Sequence, residues 1–229
     1  MKTGVIFDMD RTLLILPVNI IAVREALRAW GEPLGLDLPW RPILKDIGSV
    51  PQRLAERYGP ARAAGFGEEA WDILDEAEAK AGAKAKAREG ARELVESLHH
   101  AGVPMALVTN NGRPGALAAL TQIGLGPSLF KTLICRGEAL NPKPAPDAFI
   151  SALRALEREG PLEELISIGD APSDVLAAKA LAQSVGERLR VWTIALQGGF
   201  VTPEALWAVH PDLMVEELTG LWDTLMSAL

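Results

Sequence analysis

Residues 7–12 read FDMDRT, and they close the short apolar run TGVIF (3–7). A run of that kind, stopped by charged residues, has the pattern of a strand buried on both faces. Two carboxylates, Asp8 and Asp10, stand one residue apart where the run stops. Residues i and i+2 of an extended strand point to the same side, so both carboxylates are expected to face one site. In open α/β sheets, ligands bind at the carboxyl ends of the strands. Two like charges this close need an offset, and a bound cation supplies one. Carboxylate and carbonyl oxygens suit Mg²⁺, which takes one or two protein carboxylates.

Similar apolar runs recur along the chain. PMALVT (104–109), ISIGD (166–170) and RVWTIA (190–195) read as buried strands, with weaker candidates at KTLICR (131–136) and DLMV (212–215). Helical spacing separates them, at 90–102, 112–124, 147–159 and 173–184. This alternation predicts a doubly wound parallel α/β sheet. Residues 13–87 break it. NIIAVREALRAWG (19–31) and EEAWDILDEAEAKA (68–81) read as amphipathic helices with no convincing strand nearby. The expected organisation is a core of residues 1–14 and 88–229, with a helical insert at 15–87. The return leg, AEAKAGAKAKAREGA (77–91), reads as a solvated helix or linker; a sharper reading makes it one side of a hinge opposite residues 13–17.

Three further strand ends carry chemistry. VTNN (108–111) supplies the Thr109 hydroxyl and the Asn110 and Asn111 amides, NPKPAPDAF (141–149) supplies Lys143, and GDAPSD (169–174) supplies Asp170 and Asp174. If these strands lie side by side, the site combines a nucleophilic carboxylate, a second carboxyl for proton transfer, a hydroxyl, a cation and metal ligands. That equipment suits phosphoryl transfer through an aspartyl-phosphate. Taken singly, Thr109 reads as a strand residue, Asn110–Gly112 as a turn, Lys143 as a surface lysine and Asp174 as a helix N-terminal charge. Those readings leave the ordered set unexplained.

DMDRT, then Thr109, then Lys143, then GDAPSD resembles the haloacid dehalogenase superfamily of phosphatases, over nearly the whole chain. The helical insert is similar to the α-helical cap of phosphoglycolate phosphatase-like members. The resemblance implies a Rossmann-like core and a set of roles. Asp8 attacks phosphorus; Asp10 protonates the leaving oxygen and then deprotonates water. Thr109 and Asn110, with nearby backbone N–H groups, hold the phosphate. Lys143 neutralises charge on the nucleophile and the phosphate. Asp8, the Asp10 carbonyl and Asp170 bind Mg²⁺, with Asp174 a further ligand or a partner behind them. The implied activity is hydrolysis of a small phosphomonoester. A dehalogenase is disfavoured because its pattern lacks the second acid. A phosphosugar mutase and a non-catalytic binding protein on the same fold are the competing readings.

Composition bounds the rest. The chain has 229 residues, 48% hydrophobic and 23% charged, with a net charge of −7. That balance suits a soluble globular protein and argues against nucleic acid as partner. One cysteine, Cys135, excludes an intrachain disulfide and a four-cysteine zinc site, and it reads as core. The first carboxylates come too early for a signal peptide, and the apolar stretch 13–23 is too short to span a membrane, so a cytoplasmic protein is expected. His99 and His100 read as solvated charges late in a helix, and Trp30, Trp40 and Trp71 as packing within the insert. Oligomeric state is not legible. Arg11 departs from the glycine common in the family at this position. It is expected to keep a negative φ and to point to the insert or to solvent, the alternative being contact with an anionic part of the substrate.

Overall fold

Val5, Ile6 and Phe7 are wholly buried, and they divide between two cores. Val5 and Phe7 face one cluster; Ile6 faces the other. That division requires a sheet covered on both sides. In the computed structural model, which describes residues 2–228, the run is strand β1 (Thr3–Phe7). The remaining strands are β2 (Leu14–Ile15), β3 (Lys86–Ala87), β4 (Met105–Val108), β5 (Thr132–Ile134), β6 (Glu164–Gly169), β7 (Arg190–Leu196) and β8 (Leu213–Val215). Six of them form one sheet in the order β5-β4-β1-β6-β7-β8. All its pairings are parallel, and Phe7 lies level with Leu107 on one side and Ile168 on the other. The expected strands, including the two weak candidates, are all present.

The helices are α1 (Ile20–Gly31), α2 (Ile43–Tyr58), α3 (Pro60–Gly82), α4 (Ala91–His100), α5 (Arg113–Gln122), α6 (Asp147–Leu156), α7 (Pro172–Val185), α8 (Pro203–Trp207) and α9 (Leu221–Ala228). Leu94, Leu98, Ala116 and Leu120 of α4 and α5 cover one face of the sheet with Val5 and Phe7. Phe149, Leu153, Ala178 and Leu181 of α6 and α7 cover the other. Each fully buried Leu, Ile or Phe stabilises the sheet by roughly 1.5–3 kcal/mol. No helix among the described residues is long and apolar enough to cross a membrane.

Helices α1–α3 form the insert and carry a hydrophobic cluster of their own around Leu27, Trp40, Ile47, Val50 and Leu74. Asn19 caps α1 by accepting from the Ala22 N–H. Two features differ from expectation. The helix expected at 68–81 begins at Pro60, and α2 is an additional helix with Pro51 inside it. The return leg, expected as a solvated helix or linker, is the end of α3 followed by chain in which Ala83, Lys84, Lys86 and Ala87 are exposed. Ala81 and Gly82 are buried in the last turn of α3, and Lys86–Ala87 pairs antiparallel with Leu14–Ile15. The outgoing and returning chains therefore lie side by side. Arg88 fixes this junction by donating to the carbonyls of Arg11 (2.6 Å) and Gln197 (2.9 Å).

Candidate active site

The carboxyl edge of the sheet gathers the four motifs. Asp8 follows β1 directly, and its backbone N–H donates to the Ile168 carbonyl. Thr109 follows β4 and bonds across to Ile134 in the same way. Asp170 follows β6, and Asp174 sits in the first turn of α7. Lys143 reaches in from the loop before α6. Parallel order places β1 between β4 and β6, so residues more than 130 positions apart meet.

Lys143 Nζ is the hub. It donates to Asp8 Oδ1 at 2.6 Å and to the Val108 carbonyl at 2.9 Å, and it pairs with Asp174 Oδ1 at 2.7 Å. Its side chain is 3% exposed. Burial opposes its charge, yet Asp174 and Asp8 outweigh burial and hold its pKa above the ordinary lysine value. Asp174 Oδ2 accepts from the Ala171 N–H at 3.0 Å, so both oxygens of Asp174 are engaged. Thr12, fully buried, donates to Asp8 Oδ2 at 3.1 Å and lies 3.5 Å from Asp170 Oδ1. Burial raises the Asp8 pKa to about 6, with Lys143 opposing and Asp174 adding to the rise. Burial, then the charges of Asp8 and Asp174, raises Asp170 to about 8. The loop carrying Gly199 closes directly on Asp170; a Cβ at Gly199 would collide with that carboxylate.

Asp8, Asp170 and Asp174 each place a carboxylate oxygen within 4.8 Å of the others. Three acids against one lysine leave an excess of negative charge on hard oxygen donors, which fits Mg²⁺. The Asp10 carbonyl accepts no hydrogen bond from the described residues, so it is open to the same use. Asp8 and Asp174 are each engaged on both oxygens, and Asp170 is the least engaged of the three carboxylates.

Asp10 stands near the site, its charge adding to the rise at Asp170, but strand alternation does not place it there. The strand ends at Phe7, so the alternation that would align Asp8 with Asp10 does not extend to either residue. The Asp10 carboxylate accepts from the Leu16 N–H at 2.8 Å. Burial raises its pKa; the bond from Leu16 and the Arg11 charge oppose the rise.

Arg11 also departs, with φ +64. Its N–H donates to the Leu14 carbonyl and its own carbonyl accepts from Arg88; these bonds fix the turn. The guanidinium stacks on Phe200 at 3.6 Å. A non-glycine residue in the left-handed region costs about 1 kcal/mol, close to the unfolded-chain entropy that glycine would restore. Arg11→Gly is therefore expected to keep kcat/KM within about threefold and Tm within about 3 °C. A folded but inactive variant in a phosphatase assay contradicts this.

Thr109 Oγ1 donates to Asn111 Oδ1 at 2.8 Å. Asn110 exchanges weak bonds with the Lys143 backbone. Cys135 is buried and its thiol is pushed up to about 11 by burial, consistent with a core residue. His99 and His100 are exposed in the last turn of α4, and Trp40 is wholly buried in the insert. The residues that sequence reasoning missed are Thr12, Arg88 and the pair Glu78 and Arg136. Thr12 was within reach, being the last residue of the opening motif.

The sequence profile of the haloacid dehalogenase-like hydrolase family matches residues 5–185. The chain belongs to that family. A Caldanaerobacter subterraneus protein named as a pyrophosphatase, PpaX, is 26% identical over 96% of this chain and 92% of its own length. Phosphoglycolate phosphatase 1 of Pseudomonas aeruginosa is 30% identical over 95% of this chain and 77% of its own. A Thermotoga maritima structure named as a β-phosphoglucomutase covers 100% of both chains at a TM-score of 0.58 and 23% identity.

Proposed function

We propose that this chain is a Mg²⁺-dependent phosphomonoesterase, acting on a small phosphorylated metabolite through an aspartyl-phosphate. Residues 1–14 and 88–229 form its core, and 15–87 a cap over the site. The observation that carries the reading is the Asp8 carboxylate, clamped between Lys143 and Thr12 at the strand edge beside Asp170. The relatives named as phosphatases support it.

Asp8 is the nucleophile. One of its oxygens bonds to phosphorus as the bond from phosphorus to the leaving oxygen breaks, and the Asp10 carboxyl gives that oxygen its proton. A water then attacks the aspartyl-phosphate while Asp10 takes its proton, and phosphate departs as the bond to Asp8 breaks. The raised pKa of Asp10 suits a group that must both give and take a proton. Lys143 holds Asp8 in place and neutralises charge on the phosphoryl oxygens. Asp174 keeps Lys143 charged and oriented, which makes it a partner behind the ligands. Asp8, Asp170 and the Asp10 carbonyl would hold Mg²⁺, which supplies charge neutralisation for the phosphoryl group when bound.

A phosphosugar mutase uses the same two aspartates, and the Thermotoga structure shares the fold. The test is phosphate release from a panel of phosphomonoesters, with Mg²⁺ and with EDTA. Mg²⁺-dependent release is expected. Isomerised substrate that retains its phosphate points to the mutase. No turnover, with no thermal stabilisation by Mg²⁺ plus beryllofluoride, points to a binding protein.

A further inference from the structure

Helix α3 belongs to the insert, yet its last turns carry two acids into the wall of the site. Glu78 is 4% exposed. Its Oε1 accepts from Asn111 Nδ2 (3.1 Å) and Arg136 Nη1 (3.0 Å); its Oε2 accepts from the Gly112 N–H (2.7 Å) and Arg136 Nη2 (2.8 Å). Arg136 also donates to the Asn110 carbonyl at 2.9 Å and pairs with Asp75. The Arg136 backbone N–H donates to the Asn111 carbonyl at 2.9 Å. Each of residues 110–112 is therefore held by this pair. Small residues allow the approach: a Cβ on Gly115 would lie 2.7 Å from the Glu78 Cβ, and one on Gly82 would lie 2.7 Å from the Ala118 Cβ.

A carboxylate only accepts hydrogen bonds. Glu78 therefore obliges Asn111 to turn its NH₂ toward α3 and its Oδ1 toward Thr109. The Thr109 hydroxyl then donates to that oxygen at 2.8 Å and accepts from the Asn111 N–H at 3.2 Å. The one hydroxyl proton of Thr109 is thus directed by a carboxylate on the insert. With the Asn111 and Gly112 amides engaged, the Asn110 N–H is the loop amide without a partner among the described residues.

We infer that Glu78 is a positioning residue for phosphate. Acting through Asn111 and Gly112, it sets the conformation of the 109–112 loop, so that docking of α3 against the core tunes phosphate affinity. The inference rests on the phosphatase reading. A purely structural role, in which the ion pair only fastens the insert to the core, makes a different prediction. Asp75 pairs with Arg136 and packs against Gly112, but it accepts no hydrogen bond from residues 110–112, and so it separates the two.

The experiment compares full-length Glu78→Gln, Asp75→Asn and Asn111→Ala with the wild type in Mg²⁺. Inhibition by inorganic phosphate, KM, kcat and Tm are measured. Glutamine would set an NH₂ against a donor of the loop. Glu78→Gln is expected to raise the phosphate inhibition constant and KM about tenfold, the worth of one charge-assisted hydrogen bond, with kcat within about threefold. Asp75→Asn is expected to keep both constants within about twofold even where Tm falls. Asn111→Ala removes the relay and spares the ion pair, and it repeats the affinity loss if Glu78→Gln fails to fold. Unchanged phosphate inhibition in the folded loop variants overturns the inference and leaves the phosphatase intact. Equal affinity losses in Asp75→Asn and Glu78→Gln also overturn it. A wild type that neither hydrolyses phosphomonoesters nor binds phosphate overturns both readings.

Discussion

Asp8→Asn is expected to abolish Mg²⁺-dependent phosphate release, by a factor of about 10⁴ or more, while the protein stays folded. The substitution is isosteric; its one acceptor oxygen can face Lys143 while its NH₂ donates to the Thr12 hydroxyl oxygen. It removes the proposed nucleophile. Losses of this size are ordinary when a covalent nucleophile is removed. Stability should hold or rise in the absence of metal. The Asp8 pKa is raised to about 6 by burial, with Asp174 adding to the rise, so holding its charge costs the folded state relative to the unfolded chain. An amide relieves that cost, and Lys143 retains Asp174 as partner. Steady-state kinetics and a thermal melt in EDTA decide the matter. Activity within tenfold of the wild type would show that Asp8 is not the nucleophile.

The second large effect falls on Lys143. Replacing it with Met keeps the length of the chain and removes the charge. Asp8, Asp170 and Asp174 would then lie within 4.8 Å of one another with no cation among them. Breaking a buried pair in this way costs about 3–5 kcal/mol. In a domain of this size that corresponds to a fall in Tm of about 6–20 °C. Mg²⁺ should recover part of the loss, because it binds the folded state. Turnover should remain at least ~10²-fold down even when the metal is saturating, since the neutralising donor to the nucleophile is gone. Lys143→Arg is not expected to rescue: a planar fork cannot reproduce three bonds from a single nitrogen, to Asp8, Asp174 and the Val108 carbonyl. A Lys143→Met protein as stable as the wild type in EDTA would contradict this account.

The sheet was legible because its central strands β1, β4 and β6 are buried on both faces, which leaves an unbroken apolar run such as MALV in β4. The insert was harder. Helix α2 has Gly48 and Pro51 in its interior and was not picked out, although its buried face at Ile43, Ile47, Val50 and Leu54 keeps helical spacing. Strands β2 and β3 are two residues each, too short for any periodicity to register. At the site, the ordered motifs carried Asp8, Lys143, Asp170 and Asp174 to one place because parallel topology fixes which strand ends are neighbours. Side-chain direction was not carried in the same way. The orientation of Asp10 depends on where β1 stops, and the left-handed turn at Arg11 depends on bonds to Leu14 and Arg88. Glu78 lies in a stretch rich in alanine and lysine, where one acid looks solvated until Arg136, 58 residues later, is seen to cover it.

The place of β1 in the sheet bears on how the chain is made. Synthesised before its partners, this wholly buried strand has its neighbours at residues 105–108 and 164–169. At a translation rate of about 5–20 residues per second, its second edge stays open for roughly 8–30 s. The helices of the insert emerge in that interval and can pack among themselves through contacts close in sequence. The nascent chain thus carries a folded helical module ahead of an unpaired strand, and that strand is the segment most in need of a ribosome-associated chaperone.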